Sequence, residues 1–259
     1  MNVPRFLYRA APILICACVS ASLAQTPTGI ATSQNTDNYT TVKASPTPSP
    51  SPAPGFVKSI VKDQKTLWTS PFHLKQSDLK WLAPLVVTTA ALMATDKHTS
   101  AWVDKNGSLP GASRDVSFAG SAYGTAGTAA ALYLAGRFSD NEKARDTGRL
   151  AAEALIDTSI ITEVLKVSTR RMRPNADSGR GLFFKGGSSF PSGHSSSTWA
   201  VATVVAYKYK DRPLIKYAAF AAAIAVSMSR YSGRNHFLSD VLIGSAIGYG
   251  TGRFVALHH

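Results

Sequence analysis

Residues 213–229 read PLIKYAAFAAAIAVSMS, an alanine-rich apolar run opened by a proline and followed by Arg230. Proline is tolerated in the first turn of a helix and alanine is the strongest helix former, so the run predicts a helix. Further apolar, alanine-rich stretches lie around 79–95, 116–137, 142–168, 195–209 and 237–257. Asn106-Gly107, Arg173-Pro174-Asn175 and Asp211-Arg212-Pro213 punctuate them. Runs of alternating β-branched residues, the mark of strands, are missing. The expected fold class is all-α, a helical bundle.

A membrane-spanning helix needs about 20 predominantly apolar residues. Tyr217 to Ser229 offers 13 uncharged residues between Lys216 and Arg230, and Leu82 to Thr95 offers 14 before Asp96. These lengths favour a soluble bundle, peripheral to a membrane, over a multi-span protein. Trp68, Trp81 and Trp102 fall between residues 55 and 115, a segment that packs over the bundle or shapes a substrate mouth; core packing is the expectation for its aromatic residues.

The chain before residue 55 has a different character. Arg5 and Arg9 flank a basic start, Ala10 to Val19 is apolar apart from Pro12, and Ser22-Leu23-Ala24 precedes Gln25. Residues 1–24 therefore read as a secretory signal peptide. Ile15-Cys16-Ala17-Cys18 supplies a competing reading, a lipoprotein box that would place a lipid on Cys18. Both cysteines of the chain lie here, so the mature protein is expected to have no disulfide and no thiol chemistry. Residues 25–54 are rich in Thr, Ser, Asn and Pro and end in SPTPSPSPAP, a composition that cannot bury a core and serves as a disordered linker. The folded domain is expected over 55–259. Export to the periplasm or cell envelope follows from this reading.

A formal net charge of +13 draws the chain to anionic surfaces such as phospholipid headgroups or to phosphorylated metabolites. No Lys/Arg run is interleaved with aromatic residues, which argues against nucleic acid.

Three strings carry the chemistry. In the first, Lys166-x6-Arg173-Pro174, seven residues make two helical turns, so both cations are expected on one helix face, with Arg173 at its end. Arg170 and Arg171 between them read as solvated surface. The second, Pro191-Ser192-Gly193-His194, opens a helix: Ser192 suits the N-cap, Gly193 lets the backbone approach an anion, and the helix dipole favours negative charge. The third is Ser229-Arg230-x5-His236-x3-Asp240. On a helix its carboxylate would reach one ring nitrogen of His236 and fix the tautomer, leaving the other nitrogen as a nucleophile. Taken singly, each string has a bland explanation as solvated face, helix cap or surface pair. Together they supply three cations, two imidazoles and an orienting carboxylate, the parts needed to bind and cleave a phosphate ester. No zinc pattern is visible; His258-His259 is the nearest histidine pair.

These strings resemble the signature of the type 2 phosphatidic acid phosphatase (PAP2) and vanadium haloperoxidase superfamily, with every signature position filled. The resemblance implies a phosphoric-ester hydrolase of the phosphatase branch that needs no metal cofactor. His236 would form a phosphohistidine, Asp240 would polarise it, and His194 would act as acid and then base. Lys166, Arg173, Ser192, Gly193 and Arg230 would bind the phosphate. Implied substrates are phosphomonoesters or diphosphates, including lipid phosphates such as phosphatidic acid or an isoprenoid diphosphate; a nonspecific soluble acid phosphatase fits as well. Vanadate would inhibit as a transition-state mimic. In the alternative reading, a vanadium-dependent haloperoxidase, it would be the prosthetic group.

Overall fold

The computed structural model describes residues 55–106 and 110–259. The expected signal peptide, the lipid site at Cys18 and the linker all lie outside the described residues. The described chain is helical: α1 (Phe56–Thr69), a short 3-10 turn (Ser70–His73), α2 (Gln76–Asn106), α3 (Pro110–Ala119), α4 (Ala122–Phe138), α5 (Glu142–Thr169), α6 (Gly193–Lys208), α7 (Pro213–Ser232) and α8 (Leu238–His258). No strand occurs among the described residues. The all-α bundle read from the sequence is the fold.

Local chemistry sets the helix boundaries. The single stretch expected over 116–137 is two helices. Ser121 interrupts it as an N-cap, its hydroxyl accepting a hydrogen bond from the Gly124 amide at 3.1 Å. Asn141 caps α5 through the Ala144 amide at 3.0 Å. At the other end of α5, Arg170 takes a left-handed conformation (φ 46°), which turns the chain out of the helix. Arg173 therefore lies in the following loop. It does not share a helix face with Lys166, because the left-handed residue intervenes between them.

The core is built on small side chains: Ala129, Ala151, Ala154 and Ala200 pack with Leu150, Val201, Val204 and Val255. Small residues let helix backbones approach closely, and α6 against α8 is the extreme case. A Cβ on Gly244 would stand 2.5 Å from the Ser192 carbonyl oxygen; on Gly248, 2.1 Å from that of Ser196; on Gly252, 2.5 Å from that of Ala200. These four-residue steps put a groove of backbone along α8 in which α6 sits. The first contact of the groove seats the PSGH string beside the start of α8.

The tryptophans depart from the core-packing expectation. Trp81 is 83 % exposed, Trp102 63 % and Trp68 41 %, and Phe72 is 85 % exposed. Trp68 lies on α1 and Trp81 and Trp102 on α2, and neither helix contributes to the alanine-rich core. No helix among the described residues is long and apolar enough to cross a membrane.

Candidate active site

The loop after α5, the N-terminus of α6 and the α7–α8 junction converge. Ser192 precedes α6, and its amide donates to the Asp240 carbonyl oxygen at 3.0 Å, tying the second string to the third. It occupies the N-cap position, but its hydroxyl does not cap the helix; it accepts from Ser195 Oγ at 3.0 Å and is wholly buried. Lys166 Nζ, near the end of α5, would lie 3.0 Å from a Cβ built on Gly193. The lysine therefore stands over the helix opening, where first-turn amides and the dipole already favour an anion. In the structure it pairs with Glu163 at 2.5 Å, a largely exposed carboxylate whose hold on it is weak.

His236 is buried in the junction after α7, ahead of α8 rather than on it. The expectation that Asp240 binds its ring through helical spacing is therefore replaced. Nδ1 bonds to the Ser189 carbonyl oxygen at 2.6 Å, while Asp240 Oδ2 is 3.8 Å away. A carbonyl can only accept, so Nδ1 carries the hydrogen and Nε2 the lone pair. Burial, together with the charges of Arg173 and Arg230, lowers the His236 pKa against the opposing pull of Asp240 and keeps the ring neutral near pH 7.

Asp240 has a different set of partners. Its Oδ1 accepts from Arg171 Nη1 at 2.6 Å, and its Oδ2 accepts from Ser189 Oγ at 2.5 Å and from the Phe237 amide at 2.9 Å. Burial pushes its pKa upward, but His236, Arg171 and Ser189 outweigh this and hold the carboxyl below the ordinary range. Arg171 is 2 % exposed, not solvated as its sequence context suggested. It reaches Asp96 Oδ2 at 2.8 Å, Ser239 Oγ at 2.8 Å and the Gly181 carbonyl at 3.2 Å, and lies between the rings of Phe183 and Phe237. Arg171, Asp96 and Ser189 were missed because nothing in their spacing marks them. The one signal was Arg171 itself, a third arginine inside the Lys166-to-Arg173 string.

Two further string residues, His194 and Arg230, face one cavity. His194, Arg230, Ser117, Phe118, Asn175 and Asn235 are among its lining residues, and its volume is about 440 Å³. Burial first, then the charges of Arg230, His236, Lys166 and Arg173, lowers the His194 pKa to about 4. Burial and then Arg173 lower that of Arg230 to about 10. Arg173 is thus close enough to act on His194, Arg230 and His236 alike. Arg230 Nε is buried and, among the described residues, has no hydrogen-bond partner. Clustered cations with an unsatisfied donor suit a compact anion bearing several oxygens. A larger cavity of about 790 Å³ opens among Glu142, Lys143, Asp146, Arg149 and Lys208 and contains none of the string residues.

Residues 148–259 match the family model of the PAP2 superfamily. The matched stretch holds all three strings. The chain is 32 % identical over 121 residues to a PA-phosphatase related-family protein of Dictyostelium discoideum, covering 40 % of this chain and 45 % of that one. It is 33 % identical over 84 residues to the lipid A 1-phosphatase of Porphyromonas gingivalis, covering 32 % of this chain and 17 % of that one. The chain thus matches less than half the length of these curated relatives. The PAP2 fold is shared with the crystal structure of a transmembrane PAP2-type phosphatidylglycerolphosphate phosphatase from Bacillus subtilis: TM-score 0.54, 22 % identity, 67 % of this chain and 92 % of that one.

Proposed function

We propose that this chain is a phosphohydrolase that cleaves phosphomonoesters or diphosphates through a covalent phosphohistidine at His236. The observation that carries the reading is the neutral, buried imidazole whose Nδ1 is anchored at 2.6 Å to Ser189, in a region of converging positive charge. Nε2 attacks phosphorus and the P–O bond to the leaving group breaks. Lys166, Arg173 and Arg230 neutralise the equatorial oxygens, with the Gly193 amide completing the cradle and Ser192 fixing its backbone. His194 protonates the departing oxygen, then takes a proton from water as the water attacks phosphorus and the P–N bond breaks. Inorganic phosphate leaves and His236 is restored. In the free protein His194 is mostly unprotonated near pH 7. A bound phosphate dianion offsets the surrounding cations and raises its pKa, supplying the acid when it is needed.

Lipid phosphates are the proposed substrate class. Phe118 lines the cavity and is 68 % exposed, offering apolar surface beside the cationic cradle. The exposed Trp81, Trp102 and Phe72 suit contact with an anionic membrane surface at the headgroup level. The names of the curated relatives, one a lipid A 1-phosphatase and one PA-phosphatase related, support the same class. Attachment to the cell envelope of a bacterium accords with this substrate.

The test is phosphate release from phosphatidic acid vesicles, an isoprenoid diphosphate and a soluble aryl phosphate, with trapping of the acid-labile phosphoenzyme. Release from the lipids in excess of the soluble ester, with a phosphoenzyme absent from His236→Ala, is expected. A preference for the soluble ester would remove the lipid assignment. Turnover by His236→Ala would remove the mechanism.

A further inference from the structure

Asp63 on α1, Glu153 on α5 and His259 beyond α8 bring three donor atoms within 4.8 Å of one another. They belong to none of the three strings, and no sequence spacing links them. Asp63 is 2 % exposed and Glu153 not at all. His259 Nε2 lies 3.0 Å from Asp63 Oδ1. Ser59 Oγ donates to Glu153 Oε1, and Arg149 Nη1 reaches Glu153 Oε2 at 3.4 Å. Asp157, one turn further along α5, is wholly buried and within electrostatic reach of all three; Gln64 Nε2 donates to its Oδ1 at 2.8 Å.

A second observation points to a ligand. Asp157 Oδ2 is a buried oxygen that accepts no hydrogen bond among the described residues; Asp63 Oδ2 accepts none either, though His259 Nε2 stands 3.0 Å from it. A buried carboxylate oxygen left without a donor is costly, and the two ion pairs, His259 with Asp63 and Arg149 with Glu153, do not repay three crowded carboxylates. A cation placed among them would satisfy the oxygens that hydrogen bonds leave over.

We infer that Asp63, Glu153 and His259 form a structural site for one divalent first-row cation, zinc or manganese, that fastens α1 and the end of α8 to α5. Two carboxylates and an imidazole are the donor set such ions take, whereas calcium prefers oxygen alone. Bonds near 2.0–2.2 Å place neighbouring donors about 3.4 Å apart, so the widest separation closes by about 1.4 Å. Closing it requires the Glu153 carboxylate, held by Ser59 and by the long 3.4 Å contact with Arg149, to reorient. Glu153 lies thirteen residues before Lys166 on the same helix, about 20 Å at 1.5 Å per residue. The cation therefore acts on stability and not on phosphate chemistry.

The experiment uses the full chain, stripped with a chelator and dialysed, then titrated with zinc or manganese chloride while bound metal and thermal unfolding are measured. The expected result is one equivalent bound and a rise in Tm of roughly 5–10 °C at a hundredfold excess over Kd. Glu153→Gln and His259→Ala should each lose that rise. His259 is partly exposed, so its variant keeps the test available if a core substitution fails to fold. Phosphate release below Tm should be equal in stripped and loaded protein. No binding at millimolar metal, an undiminished rise in both variants, or a rate that climbs with metal occupancy would each overturn the site.

Discussion

The Nδ1 of His236 lies 2.6 Å from the carbonyl oxygen of Ser189, closer than the 3.8 Å that separates it from Asp240 Oδ2. A main-chain acceptor, which no side-chain substitution removes, thus fixes the ring. Asp240 acts from farther off, through charge and by holding Ser189 and the Phe237 amide in place.

Two variants separate these contributions. His236→Ala is expected to lose about 10⁴-fold or more in turnover and to yield no acid-labile phosphoenzyme. Asp240→Asn leaves the Ser189 bond intact, so it should lose about 10- to 100-fold and still form the intermediate. Rapid-quench trapping with labelled substrate reads both. Equal losses in the two variants would return the orienting role to the carboxylate.

His194 has its pKa lowered from 6.5 to about 4, by burial and then by Arg230, His236, Lys166 and Arg173. Between those values the unfolded chain binds the proton and the folded chain does not. Its contribution to stability is therefore lost as pH falls from about 6.5 toward 4. In its proposed role of general acid it must be protonated, and bound phosphate raises its pKa. The descending limb of kcat should accordingly lie at higher pH than that of kcat/KM. Ring-proton NMR should place the free His194 near pH 4, moving upward with vanadate and in Arg230→Gln. No movement in either case would contradict the electrostatic account.

His194→Ala should spare substrates with good leaving groups. An aryl phosphate needs little protonation on departure, whereas an alkyl ester should lose about 10²- to 10⁴-fold. Single-turnover rates on the two ester types check this, and equal losses would exclude the acid role.

Arg171 joins Asp96 to Asp240, and all three are buried. Arg171→Ala leaves two carboxylates without their cation, with an expected cost of about 3–5 kcal/mol. Asp96→Asn keeps a polar partner and should cost less. Denaturant unfolding measures both, and a loss below about 1 kcal/mol for Arg171→Ala would show that water or rearrangement compensates.

Gly193→Ala would bring a methyl group within 3.0 Å of Lys166 Nζ. The lysine tip is mobile, so stability should change little while KM for phosphate esters rises several-fold. Paired Tm and kinetic measurements decide; a fall in kcat at constant KM would mean the lysine acts only in the transition state.

The helical class was legible because alanine-rich periodicity, prolines at helix starts and polar breaks are local signals, as in the run 213–229. The Gly120–Ser121 interruption was less visible, since a cap within an apolar stretch resembles ordinary helix interior. Trp81 and Trp102 were misplaced because an aromatic residue signals burial only where its helix contributes to the core.

By itself the sequence determined the all-α class and the inventory of the site: three strings of cations, imidazoles, glycine and carboxylate whose types and order are written in the chain. Only the tertiary structure decided who holds whom. Arg171 belongs to Asp96 and Asp240, His236 to the Ser189 carbonyl, and Asp63 to His259. The physical reason is that buried polar groups must find partners wherever packing brings them, and packing joins residues 47, 75 or 196 positions apart with no periodicity to announce it.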